Sequence, residues 1–120
     1  MQMSQLYRRG VVRPLDDKAA RQLASYSIED SIRAEWLPIP CDSQFDAIWE
    51  SGVFQRINEV CHVEISDYEE IELPSAQVDM ALMVIRHEMN KECAKIPFFR
   101  NLEQLLQAAK DSERSVYFVL

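Results

Sequence analysis

A chain of 120 residues with a formal charge of −7 and an acidic pI near 4.8 has the size of a single domain, residues 1–120, and the wrong sign for direct binding to nucleic acid or anionic lipid. With 48% hydrophobic and 28% charged residues it can bury one core without disulfide staples. Its two glycines leave no glycine-rich phosphate loop, and neither GxGxxG nor GxxxxGK occurs.

Leu6 to Val12 reads as a first strand from the β-favouring Tyr7, Val11 and Val12, with Gly10 marking a bulge. Pro14 and Asp16 predict a helix start with acids in its first turn. Leu15, Ala19, Leu23 and Tyr26 share one face of that helix, which is expected to end near Ser25 to Ser27. Residues 27–32 suit a short helical turn. Trp36-Leu37-Pro38-Ile39-Pro40 cannot be helical, because two prolines remove donors and restrict their neighbours. It predicts an extended connection anchored in the core by Trp36 and Ile39.

Ser43 is the expected N-cap of the next helix, with Phe45, Ile48 and Trp49 on its inner face. Ser51-Gly52 ends or kinks it, and Val53, Ile57, Val60 and Cys61 resume the helical spacing. His62 to Ile65 and Glu70 to Leu73 each alternate polar and apolar residues about a turn at residues 66–69, which predicts a hairpin or a loop with one short strand. Pro74-Ser75 opens the helix expected to be longest and most buried, about Ala76 to Cys93, with Val78, Leu82, Ile85 and Met89 as its stripe and Met80, Met83 and Val84 widening it. Ile96 to Phe99 turns the chain, and Asn101 caps a last helix carrying Leu102, Leu105, Leu106 and Ala109 on one face. Val116 to Leu120 is a continuous apolar strand that wants cover on both faces, which places it centrally in a sheet beside the N-terminal strand. The predicted fold is α/β or α+β: a small sheet including both terminal strands, packed by four to five helices.

Charge is not spread evenly over these elements. Residues 42–72 hold nine acids (Asp42, Asp46, Glu50, Glu59, Glu64, Asp67, Glu69, Glu70 and Glu72) and one base, Arg56, whereas the flanking segments are close to neutral. Asp42, Asp46 and Glu50 recur every four residues, so three like charges stack turn over turn, at a few tenths of a kcal/mol of repulsion per pair. Asp67-Tyr68-Glu69-Glu70-Ile71-Glu72 interleaves acids with an aromatic and an aliphatic, giving anchors inside a charged rim.

No motif names a reaction. His87-Glu88-Met89-Asn90-Lys91 begins like the zinc-protease HExxH, but lysine replaces the second histidine. Asp42 to Val53 fails as an EF-hand loop, with Ala47 at the sixth position and Val53 at the twelfth. Cys61-His62 points two ways on any regular element, so a buried cysteine beside a surface histidine is the expectation. The serines form no GxSxG elbow. Asp46 with Glu50, or Glu70 with Glu72, could flank a hydrolytic site only if burial raised one of them. Cys41, Cys61 and Cys93 form neither a CxxC pair nor an even disulfide set. With no apolar run behind a basic start and the longest such run only Met80 to Ile85, they predict a cytoplasmic protein.

In size, acidity and lack of catalytic motifs the chain resembles bacterial immunity proteins, small acidic partners that neutralise nuclease-like or other basic toxins. The likeness rests on no aligned motif. It implies a non-enzymatic protein that plugs a basic protein surface. The concentrated acids and the interleaved aromatic give the expected contact set, Asp42, Asp46, Glu50, Asp67, Tyr68, Glu69, Glu70 and Glu72, with no metal or cofactor. No nucleic acid or membrane is expected to bind directly, and the oligomeric state stays open. Two other readings stand beside it: a metal- or carboxylate-dependent enzyme using Asp42, Asp46, Glu50, His62 or Glu64, and a structural subunit held in a larger assembly by apolar surface.

Overall fold

The chain closes on its most apolar strand, and the sheet is built around it. A computed structural model describes residues 9–25, 31–67, 69–89 and 95–120. Among them four strands, β1 (Gly10–Pro14), β2 (Ala34–Pro38), β3 (Glu70–Leu73) and β4 (Val116–Val119), form one sheet of order β2-β1-β4-β3, with every neighbouring pair antiparallel. Five helices accompany them: α1 (Asp17–Ser25), α2 (Asp42–Glu50), α3 (Val53–Cys61), α4 (Ser75–Glu88) and α5 (Pro97–Ser112). The architecture is α+β, with β4 central and paired to β1 as its sequence demands.

Residues directly opposite in an antiparallel sheet share a face. Val11, Phe118, Ile71 and Leu37 therefore line one side of the sheet, and Val12, Tyr117, Glu72 and Trp36 the other. The first side joins the main core with residues of α2 to α5, centred on Phe54, which meets Phe98, Phe99 and Phe118 edge-on at 6.3, 6.4 and 5.5 Å. Such T-shaped contacts satisfy the ring quadrupoles while filling volume. Val12, Ala19 and Leu23 are buried apart from this cluster, where α1 meets β1. Asp16 starts α1 by accepting the Ala19 N–H at 2.7 Å, the role its position predicts. The second side of β4 is less covered than its apolar run led us to expect: Val116 and Phe118 are buried, Tyr117 and Val119 only half-buried.

Several elements differ from the sequence expectation. Residues 34–38 are a true edge strand rather than a connection; Pro38 closes it, where a missing N–H costs no ladder bond. Trp36 there is half-buried opposite Val12, and Ile39 is buried. Gly10 starts β1 because a Cβ there would lie 2.3 Å from the Leu37 carbonyl oxygen, a close approach rather than a bulge. Residues 62–66 form no strand, so of the two alternatives for this stretch, a hairpin or a loop with one short strand, the structure has the second. Pro97 takes the first helical position of α5, four residues before the predicted cap at Asn101, where its fixed φ is pre-organised, and Phe98 and Phe99 enter the core. At 16 residues α5 is longer than the 14 described for α4; the predicted end of α4 at Cys93 lies outside the described residues, as do Leu6 to Arg8, Tyr26 and Ser27. Met80 and Met83 do not widen the buried stripe of α4 but remain 41% and 57% exposed. Leu15, expected on the buried face of α1, precedes that helix and is 41% exposed. No helix among the described residues is long and apolar enough to cross a membrane.

Candidate protein-binding surface

The acidic segment is carried by two helices, a loop and an edge strand. On α2, Phe45 and Ile48 are buried and Phe45 stacks on Trp49 at 5.9 Å, which turns Asp42, Asp46 and Glu50 to solvent. The rise of a helix separates these successive acids by about 6 Å. The helix begins one residue before the predicted Ser43 cap, behind Cys41 in extended conformation. Gly52 in the left-handed region (φ 83°) then breaks α2 from α3. Only glycine takes that geometry without steric cost.

α3 ends at His62, itself left-handed (φ 57°) and exposed, beside the buried Cys61. The loop that follows has no ladder of its own. Asn58 supplies one: its side-chain N–H donates to the Ile65 carbonyl at 3.0 Å, and its oxygen accepts the Ile65 N–H at 2.8 Å. Ile65 is thereby held in the core with both backbone groups satisfied. Asp67 and Glu69 emerge beyond it, and the Glu69 carbonyl accepts the Leu120 N–H at 2.9 Å, which fixes the entry into β3. In β3, Ile71 and Leu73 face the core while Glu70 and Glu72 project from the opposite face, exposed and about 7 Å apart. Tyr68 lies outside the described residues.

The two acidic limbs meet at Arg9. Its Nη1 donates to Asp42 Oδ1 at 2.9 Å and its Nη2 to Asp67 Oδ1, while Nε donates to the Leu120 carbonyl at 3.0 Å. The guanidinium carbon lies 3.9 Å over the Phe45 ring, a favourable cation–π placement. Asp46, Glu50, Glu64, Glu69, Glu70 and Glu72 make no ion pair among the described residues, and all six are exposed. Cys41 sits at the same corner, at the mouth of a shallow cleft of about 350 Å³ lined by Arg9, Pro38, Ile39, Pro40 and Asp42. The Ser43 hydroxyl and then the Gln44 backbone N–H hold its thiol below the ordinary value, with Asp42 opposing them.

The structure thus joins Asp42 to Asp67 and leaves Asp46 and Glu50 trailing along α2 and Glu70 and Glu72 along β3. Asp42, Asp46, Glu50, His62 and Glu64 do not converge; among the described residues no group of three or more His, Cys, Asp or Glu could hold a metal ion. The carboxylate pairs Asp46/Glu50 and Glu70/Glu72 are open to water, without the burial a general acid requires. His87 is exposed on α4. Arg9 and Asn58 were invisible as site residues in the sequence. A single base 33 positions before Asp42's segment gives no periodic or motif signal, and an asparagine in mid-helix carries none beyond low propensity.

No protein-family model matches the chain, and no curated protein matches it. Among solved structures it is similar to the Neisseria DNA mimic protein DMP12, with a TM-score of 0.61 and 12% identity over 94% of this chain and 100% of that one. That likeness is one of fold.

Proposed function

We propose that this chain is a non-enzymatic binding protein whose acidic surface occupies the basic, nucleic-acid-binding face of another protein. The observation that carries the reading is the set of exposed acids on α2, in the loop that follows α3 and on β3 that have no ionic partner among the described residues. Unpaired charge at this density repels itself and gains most from a positive surface, which it steers into register. Carboxylates spaced about 6 Å along α2 and about 7 Å along β3 resemble in separation the successive phosphates of a nucleic-acid strand. The fold it shares with a protein named as a DNA mimic supports the same reading. In the narrower form the partner is a nuclease-like toxin domain and the chain its immunity protein, acting in the bacterial cytoplasm.

The contact set is Asp42, Asp46, Glu50, Asp67, Tyr68, Glu69, Glu70 and Glu72. A tagged chain applied to its native cell extract at low and at high salt, with mass spectrometry of the eluate, tests it. We expect a basic protein retained at low salt and released as salt rises, whose labelled DNA this chain displaces in competition. Reversing Asp67, Glu69, Glu70 and Glu72 to lysine is expected to abolish both effects. Retention that ignores salt, or that survives the reversal, overturns the assignment of this surface. Identification of the retained protein as a toxin domain or another DNA-binding protein decides between the two forms.

A further inference from the structure

We propose that Arg9 is a positioning residue for this surface: it locks the α2 limb and the 62–69 limb into one rigid acidic face. The inference rests on the proposed function only for what the face binds; the locking itself stands on geometry. Arg9 belongs to neither limb, yet its one guanidinium reaches Asp42 on the first turn of α2, Asp67 in the loop and the carbonyl of Leu120, while lying over Phe45. The carbonyl and the ring fix the fork from the protein side, and the two carboxylates are held by what remains of it. Arg9 is 22% exposed, whereas Asp42 and Asp67 keep 90% and 40% of their side chains open to solvent, so the pairs orient these acids without hiding them. No other base among the described residues pairs acids from both limbs; Arg56 pairs only with Glu59 on its own helix. A lysine, a single point charge on a flexible stem, cannot satisfy this set of acceptors at once.

The proposal reverses the sign that simple electrostatics gives. Replacing Arg9 by methionine makes the chain one unit more negative, so Coulomb attraction alone predicts tighter binding of a cationic face. Loss of pre-organisation predicts weaker binding. The experiment compares wild type, Arg9→Met and Arg9→Lys in two measurements.

The first is hydrogen exchange of the free protein. We expect the Leu120 and Phe45 amides, bonded to Glu69 and Cys41 carbonyls, to exchange on the order of tenfold faster in both variants, while Leu105 in α5 is unchanged. The second is affinity for a helix-turn-helix repressor dimer, a rigid basic DNA-binding protein. We expect both variants to bind on the order of tenfold more weakly. Unchanged exchange at Leu120 and Phe45, equal acceleration throughout the core, full rescue by Arg9→Lys, or tighter binding by Arg9→Met each overturns the positioning role. A wild-type chain that does not bind the repressor excludes that class of partner and not the lock, which the exchange measurement then decides by itself.

Discussion

Most described acids outside residues 42–72 have a basic partner, Asp111 and Glu113 excepted, whereas most acids within them do not. Asp16 faces Arg33, Asp17 faces Arg114, Glu35 faces Arg13, Asp79 faces Lys110 and Glu103 faces Arg86. Within the segment, Asp42 and Asp67 share one arginine, Glu59 has its helix neighbour Arg56, and the other six have no ionic partner among the described residues. The paired acids tie together elements distant in sequence: Asp17 and Arg114 are 97 residues apart and join α1 to the approach of β4. Arg114 donates to Asp17 and attracts its charge, holding that carboxyl below its usual value. A group depressed in this way stabilises the fold above its unfolded pKa and stops doing so as pH falls through the folded one. One part of the molecule uses its acids to tie elements together; the other leaves most of its acids open to solvent, as the proposed binding surface requires.

Besides the Arg9–Asp67 pair, the acidic loop is held by the neutral bonds of Asn58 to Ile65, and Asn58 is the residue to remove. Asn58→Ala leaves the N–H and C=O of buried Ile65 without partners, a loss of about 1–3 kcal/mol that denaturant unfolding will read. Asn58→Asp keeps the acceptor for the Ile65 N–H, loses the donor to its carbonyl and adds a tenth acid to the segment, so it should fall below the alanine variant. If both variants match wild type, Asn58 is dispensable and the Arg9–Asp67 pair holds the loop without it.

The thiols test how far the negative field extends. Cys41 lies at the mouth of the acidic corner, but the Ser43 hydroxyl and the Gln44 N–H favour its thiolate more than Asp42 opposes it. Cys61 is buried, and desolvation raises its value. Labelling with a disulfide reagent, mapped by mass spectrometry, should modify Cys41 at least about tenfold faster than Cys61. The rate at Cys41 should persist to a lower pH than that of a free thiol. Reaction of Cys41 only at the pH of an ordinary thiol would mean that the field of the acids outweighs the donors at the start of α2.

The sequence made some of this legible and left the rest dark for physical reasons. The apolar run at residues 116–120 could be satisfied only inside a sheet, and β4 is central. The spacing of Asp42, Asp46 and Glu50 against Phe45 and Ile48 admits one helix orientation, and α2 has it. Edge strand β2 was hidden because its prolines suppress the strand signal, although an edge tolerates them. Phe98 and Phe99 looked like a turn because proline is read as a breaker before it is read as a first helical residue. Met80 and Met83 are apolar at positions that only the placement of α4 leaves open. Arg9 was the least accessible of all: its partners lie 33, 58 and 111 residues away, and no local pattern links a base to acids across such distances. The charge of the candidate surface could be read from the chain, whereas the joint between its halves belongs to the tertiary structure alone.

The smallest expected effect is the most direct measure of the contrast, because it asks for opposite signs from the same chemical change. Asp46 stands between Asp42 and Glu50 on α2, four residues from each, and has no partner among the described residues. Asp46→Asn removes two like-charge contacts while leaving helix propensity nearly unaltered, so it should stabilise the protein by a few tenths of a kcal/mol. Asp79→Asn makes the identical substitution where Lys110 lies 2.9 Å away, and should destabilise by about 0.2–1 kcal/mol. Paired urea melts at low ionic strength can resolve effects of this size when the two variants are compared with each other. Both differences should shrink together as salt is added, since both are exposed electrostatic terms. If Asp46→Asn is also destabilising, the acids of α2 repay their crowding within the free protein, for instance through the helix dipole, and their exposure no longer argues for an absent partner.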